Sequence, residues 1–344
     1  MNESTRRLDP DAQSNEQYPR VSVVMPVINE ERHLRAAVQR ILEQDYPGDL
    51  DVTLAVGPSR DATHQVATSL VDESDRVRVV NNPSGSTPAG LNAAIEACSG
   101  EIVVRVDGHA MIPPDYVSTA VGVLDRTGAD NVGGIMAAEG SGDFERAVAT
   151  AMTSRFGVGD ASFHVGGEEG PALTVYLGCF RRSALERVGG YDESMVRAQD
   201  WELNLRIRES GGVVYFTPDL KVTYHPRHSL RALARQYHDY GRWRREVARR
   251  YPSTLSLRYL AAPVTVATVV LGLAVGVIGA ASGQLIWLIA GAVPAAVYLL
   301  GNGIASIIAG VRSGHLGTVV RLPAIFATMH GAWGVGFLRG GAST

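Results

Sequence analysis

Between Tyr259 and Val311 the chain carries no Asp, Glu, Lys or Arg. A charge-free run of this length exceeds what a buried helix of a water-soluble domain needs, and it accommodates two bilayer-crossing helices of about 20 residues each. The polar break at Ser282-Gly-Gln284 divides it in two. A third apolar segment, Leu316 to Leu338, contains Arg321 and His330, and its length admits either a span or a helix lying in the headgroup layer. The C-terminal end is therefore expected in a membrane, and the globular chemistry before it.

Charge is sorted just as sharply. Pro226 to Arg258 holds nine Arg against Asp239 and Glu246, whereas residues 1–225 hold 20 basic and 33 acidic residues, a net of −13 that the whole-chain value of −3 hides. Because the basic segment abuts the first span and the main domain is acidic, it points to anionic headgroups and to the cytoplasmic side of a cell (inner) membrane rather than to nucleic acid. Arg312, after the second span, lies on the same side, so a multi-pass topology with a cytoplasmic globular domain follows. Cys98 and Cys179 are the only cysteines. They form no C-x-x-C pair and suit a reducing compartment. Residues 1–19 are polar and read as a disordered tail.

The globular part alternates strand, loop and helix at the pace of a parallel sheet with crossover helices. Strands are expected at Arg20–Val27, Asp51–Val56, Arg76–Val80 and Ile102–Val106. Helices are expected after Asn29, which suits an N-cap, after the loop Gly57–Thr63, and over Pro88–Ala97. In open α/β sheets ligands bind beyond the carboxyl ends of the strands. There the chain places Asn29 and Glu30, Ser59 and Asp61, and, in Arg105-Val-Asp-Gly-His109, Asp107 and His109. Continued as a strand, those last two would face one ion from the same side. Neither G-x-G-x-x-G nor G-x-x-x-x-G-K-[ST] occurs, so a bound diphosphate calls for a divalent cation, which carboxylate and imidazole can hold.

Val21-Ser-Val-Val-Met-Pro-Val-Ile-Asn-Glu-Glu31, the loop ending Ser59-Arg-Asp61, the helix with Ala89-Gly-Leu-Asn92 and the strand end Asp107-Gly-His109 together resemble the GT-A fold of family 2 glycosyltransferases. Leu173 to Arg182, Gly189-Gly-Tyr-Asp192, Gln199-Asp-Trp-Glu202 and Tyr224-His-Pro-Arg227 make the resemblance strongest to the membrane-anchored succinoglycan-type exopolysaccharide glucosyltransferases. It covers residues 20–340, and the ordered set of motifs carries it rather than any one of them. Two positions depart from the family pattern. Gly57 stands where the loop commonly has an acid, and Gln199 replaces the Glu of the usual Glu-Asp pair, leaving Asp200 as the carboxylate of that step.

The resemblance implies a GT-A domain over 20–225, a basic amphipathic interface segment over 226–258, a membrane region of two or three helices over 259–338, and a tail over 339–344. It implies inverting transfer from a nucleotide-diphosphate sugar, a UDP-sugar being expected, to a hydroxyl of a polyprenyl-diphosphate-linked oligosaccharide. Donor binding falls to Pro26, Val27, Asn29, Glu30, Ser59, Asp61, Asn92, Arg105 and Asp107, and Mg2+ or Mn2+ binding to Asp107 and His109. The general base is Asp200. Trp201, Glu202, Arg227, His330 and the stretch Gln236 to Arg242-Trp243, which resembles a Q-x-x-R-W signature at longer spacing, are expected at the acceptor or lipid. On a helix Glu202 points away from Asp200. A polyprenyl-phosphate sugar synthase, whose anionic acceptor needs no base, and a non-catalytic sugar-nucleotide-binding protein are the competing readings.

Overall fold

The structure is a computed structural model that describes residues 18–341. Most of the expected N-terminal tail and the last three residues lie outside the described residues. In the first strand, β1 (Val21–Val27), Val21, Val23, Met25 and Val27 enter one apolar core and Val24 the other. Burial on both faces is what a central parallel strand requires. Then follow α1 (Leu34–Leu42), β2 (Leu50–Val56), α2 (Thr63–Glu73), β3 (Val77–Asn81), α3 (Thr87–Ala97) and β4 (Ile102–Arg105). β3, β2, β1 and β4 lie side by side and parallel, as the alternation of the sequence predicts.

The second half departs from that pattern. After α4 (Tyr116–Thr127) and β5 (Asn131–Ala138) the chain makes a helical excursion through α5 (Asp143–Met152), α6 (Arg155–Val158) and α7 (Ser162–Val165). It returns as the short β6 (Gly170–Pro171) and as β7 (Tyr176–Arg181), which inserts antiparallel between β4 and β5. Helices α8 (Arg182–Val188) and α9 (Gln199–Glu209) and strand β8 (Val214–Tyr224) complete an eight-stranded mixed sheet of order β3-β2-β1-β4-β7-β5-β8-β6. Side chains of α1, α2 and α4 fill the core on one face, and those of α3, α8 and α9 the core on the other.

The basic segment forms α10 (Leu230–Arg250), capped by the Ser229 hydroxyl. The apolar segments form α11 (Leu257–Ala281), α12 (Leu285–Arg312) and α13 (Leu316–Arg339). Among the described residues, α11 and α12 are the two helices long and apolar enough to cross a membrane. They leave Leu271, Ile278, Leu299 and Leu300 exposed, a surface that water would not tolerate and lipid would cover. α13 differs. Its Leu322, Ile325, Phe326 and Met329 are wholly buried in a third core shared with Ala147, Val148 and Met152 of α5 and with Leu233 and Tyr237 of α10. Two glycines bring α10 and α13 into backbone contact: a Cβ built on Gly241 overlaps the Trp333 carbonyl, and one on Gly336 overlaps that of His238.

Candidate active site

The end of β1 is tied to the end of β2. Asn29 sits at φ 55, a left-handed conformation that Asn tolerates better than most residues. Its N–H donates to Ser59 Oγ at 3.1 Å and its Oδ1 accepts from the Arg60 N–H at 2.8 Å. Asn29 therefore does not cap α1, which begins four residues beyond the expected start, with His33 at its N-cap position. The left-handed turn points Asn29 back at the second loop instead. Asp61 accepts from the Thr63 hydroxyl and N–H and from the Glu31 N–H. These bonds, the hydroxyl first, hold its carboxyl below the usual aspartate range. Ser59 and Asp61 thus build the loop that borders the cleft. Pro26 is half-buried in β1. Val27 is fully inside the core, its carbonyl taken by the Gly57 N–H, so its side chain does not face a donor.

Arg105 is the centre of the arrangement. It ends β4 with its side chain 6% exposed and donates from Nε and Nη2 to Asp107 Oδ1 at 3.1 and 3.0 Å, and from Nη1 to Asp200 Oδ1. The antiparallel insertion of β7 places Gly178 opposite Arg105. Helix α9 begins after Ala198 at φ 60 and presents Asp200 in its first turn. Asp200 caps nothing; its partner is the buried guanidinium. Burial, with Asp107 adding, raises its carboxyl above the ordinary aspartate range against the opposing pull of Arg105. Arg105, expected at the donor, spends its donors on the two carboxylates and so positions both. Non-glycine residues at positive φ are costly. Among the described residues they are Asn29 at the end of β1, Ala198 before the helix that carries Asp200, and Leu177, buried in β7 beside the Gly178 that faces Arg105.

His109 lies in a turn closed by the Ala110 N–H to the Asp107 carbonyl, so it does not continue the strand and the same-face argument fails for it. Its ring reaches Glu30 instead, Nδ1 standing 2.8 Å from Oε1. That bond, ahead of the general pull of Glu30 and Asp107, raises the imidazole pKa against burial and Arg227. Glu30 thereby fixes the ring and leaves Nε2 outward, while Asp107 keeps Oδ2 clear of Arg105. Among the described residues no three His, Cys, Asp or Glu side chains gather as a closed metal site. One carboxylate oxygen and one imidazole nitrogen fit a divalent cation whose other positions are filled by substrate phosphate and water.

The remaining expected residues separate. Asn92 holds the Gly189–Asp192 loop, accepting from the Tyr191 N–H and donating to the Tyr191 carbonyl and to Glu193, so it acts on the cleft through that loop. Glu202 is buried and bound to Arg206 and the Tyr251 hydroxyl, facing away from Asp200 and from any acceptor. Trp201 lies under the Arg244 guanidinium, 4.7 Å from its ring centroid. Arg227 is exposed. Gln236 donates to the hydroxyls of Tyr224 and Tyr240. Arg242 turns to the Gly341 carbonyl, and Trp243 is half-buried on α10. His330 has both ring nitrogens engaged by protein, the Tyr298 hydroxyl at 3.0 Å and the Phe156 carbonyl at 2.8 Å, so neither is free for an acceptor.

Sequence reasoning overlooked Tyr176, whose buried phenol is driven far above its ordinary range, first by burial and then by Asp107. It also overlooked Arg244, sandwiched between Trp201 and the Tyr259 ring at 3.8 Å. No spacing marks either residue; only the closed fold brings Tyr176 near Asp107 and Arg244 onto Trp201.

A parallel half-sheet joined to an antiparallel insertion, with acidic groups at the strand ends where they meet, defines a GT-A nucleotide-sugar transferase fold, and a solved structure bears this out. A mannosyltransferase from Pyrobaculum calidifontis, in complex with GDP-Man and Mn2+, superposes with a TM-score of 0.58 over 91% of this chain and 88% of its own at 20% identity. The family described as "Glycosyltransferase like family 2" matches residues 19–245, and the chain belongs to it. The chain is 30% identical to the succinoglycan biosynthesis protein ExoA of Rhizobium meliloti, over 92% of this chain and 93% of that one. It is 23% identical, over 64% of this chain and 71% of the other, to the dolichyl N-acetyl-alpha-D-glucosaminyl phosphate 3-beta-D-2,3-diacetamido-2,3-dideoxy-beta-D-glucuronosyltransferase of Methanococcus voltae. Family membership makes the chain a glycosyltransferase, and its two long apolar helices associate it with a membrane.

Proposed function

We infer that the protein is an inverting hexosyltransferase that moves a sugar from a nucleotide diphosphate, a UDP-sugar first among the candidates, to a hydroxyl of a polyprenyl-diphosphate-linked oligosaccharide. It works at the cytoplasmic face of the cell membrane, in the synthesis of a cell-surface or extracellular polysaccharide. The observation that carries the reading is the Arg105 bridge, which couples Asp107 on the donor side to Asp200 on the acceptor side. Asp200, its carboxyl raised by burial, takes the proton of the acceptor hydroxyl, the task of a general base. The opposite face of the anomeric carbon is left to the departing diphosphate, so one displacement inverts the centre.

Asp107 and His109 would hold Mg2+ or Mn2+, which supplies Lewis-acid neutralisation of the leaving diphosphate. The Mn2+ named with the Pyrobaculum enzyme and the lipid-linked sugar named with the Methanococcus enzyme agree with this assignment. Arg105 keeps both carboxylates oriented and stays charged throughout, its pKa driven up by Asp107 and Asp200 against burial.

The deciding experiment is a donor screen on membrane-embedded protein, comparing UDP-, GDP- and dTDP-sugars with and without lipid extract. Turnover that needs both a UDP-sugar and lipid, giving a product of inverted configuration at a hydroxyl, is expected. A sugar delivered directly onto a lipid phosphate makes the protein a polyprenyl-phosphate sugar synthase, and binding without turnover makes it a sugar-nucleotide-binding protein.

A further inference from the structure

Where the catalytic domain, α10 and the membrane helices meet lies a cavity of about 430 Å³. No Asp or Glu lines it. Arg155, Arg258 and His164 line it, the imidazole neutral because burial, with Arg258 adding, brings its pKa down to about 4. Arg258 is paired with Asp160, and the side chain of the exposed Arg155 has no hydrogen-bond or ion-pair partner among the described residues. His164 Nδ1 is buried with no hydrogen-bond partner among the described residues. A buried polar nitrogen left unmet costs roughly 1–3 kcal/mol, so His164 gains by meeting a hydrogen-bonding group that enters the cavity. The rest of the wall is largely apolar and includes Ala262 and Thr265 of α11 and Met329 and Trp333 of α13.

The cavity also connects with the chemistry. Tyr240 lines it, and the Tyr240 hydroxyl shares Gln236 with that of Tyr224. Tyr224 ends β8 and lies near Tyr176, which in turn borders Asp107 and Asp200. A molecule seated in the cavity therefore has a line of phenols leading from its head to the candidate base.

We propose that this cavity holds the phosphate and the first isoprene units of the lipid-linked acceptor. The phosphate sits on Arg155 and His164, the isoprenoid lies along Ala262 and Thr265 of α11 and Met329 and Trp333 of α13, and the sugar end follows the Tyr240–Tyr224 line to Asp200. The assignment rests on the acceptor class inferred above. It adds the place where that acceptor is gripped and the residues that grip it. His330 contributes wall rather than a bond to phosphate, since both its nitrogens are taken.

The test uses full-length protein in detergent micelles and farnesyl phosphate, a short isoprenoid phosphate, as titrant in calorimetry. Saturable binding is expected, weaker for farnesol and not displaced by equal phosphatidylglycerol. Arg155→Gln and His164→Ala should each lower affinity about tenfold, the worth of one charge-assisted contact. Thr265→Trp, which fills the apolar part, should abolish binding. Nucleotide binding, unchanged in all three, reports that they are folded. Farnesyl phosphate affinity indifferent to Thr265→Trp, equal affinity for farnesol, or displacement by phosphatidylglycerol would each overturn the assignment. Transfer to a lipid acceptor with an unchanged acceptor KM in the variants would overturn the site alone. Saturable, variant-sensitive binding with no transfer to any lipid-linked hydroxyl would support the site and overturn the acceptor reading.

Discussion

Two buried places hold this molecule's distant parts together, and they do so by opposite means. At the strand ends Arg105 joins Asp107 to Asp200 through charge, across 95 residues of sequence. At the seam of α5, α10 and α13 the joining is done by Leu322, Ile325, Phe326 and Met329, beside a single exposed ion pair from Arg321 of α13 to Asp143 of α5 among the described residues. A charged junction sets direction, because each bond has a preferred line, but adds little net stability once desolvation is counted. An apolar seam adds stability in proportion to buried area but leaves orientation to shape. Chemistry is therefore expected to be sensitive at the first place and folding at the second.

The largest effect expected concerns Asp107. Asp107→Ala, or treatment of the wild type with EDTA, should take transfer to background, and Mn2+ should restore the EDTA-treated enzyme but not the variant. Full turnover in EDTA would remove the ion from the mechanism. Next comes Asp200→Asn, for which turnover should fall about 10²–10⁴-fold while nucleotide affinity holds. A near-normal rate with a hydroxyl acceptor would put the base elsewhere and blur the contrast between the two places.

The seam should answer in stability. Phe326→Ala is expected to cost about 3–5 kcal/mol in unfolding experiments, whereas Leu300→Ala, on the exposed face of α12, should cost far less in the same detergent. Equal losses would mean that α13 is no more embedded in protein than α12. The smallest effect is one of pH. Because burial raises the Asp200 carboxyl and the base acts deprotonated, kcat should climb with pH through a value above the ordinary aspartate range, and Asp200→Asn should erase that limb. The sign for folding is the reverse: the folded state binds this proton more tightly, so the group's contribution to stability declines as pH rises from the unfolded to the folded pKa.

Much of this was readable from the residues. Strands β1 to β4 show in their apolar runs, and the run from Tyr259 to Val311 marks α11 and α12, because both features are local. Asp107 and Asp200 stand out in motifs whose order the family resemblance supplies. The bridge between them does not, since it depends on β7 returning antiparallel against β4, an arrangement no short pattern encodes. Asn29 illustrates a local failure: an N-cap and a left-handed turn favour the same side chain, and the contacts to Ser59 and Arg60 decided for the turn. The third apolar segment is ambiguous for a different reason. Apolarity says that a helix avoids water, and α13 avoids it against α5 and α10 as much as against lipid.

The paired glycines of that seam make a single methyl group the unit of damage. Gly241→Ala or Gly336→Ala, the slightest change the genetic code can write there, would set the new carbon against a main-chain carbonyl that no rotamer change can move aside. On the exposed sides of α10 and α13 a change of residue type meets no such obstacle, and in the apolar seam a changed side chain can be met by its neighbours repacking. At these two positions the lineage has almost no room, and a tally of variants from the laboratory should show both as silent columns beside freely varied exposed positions of the same helices.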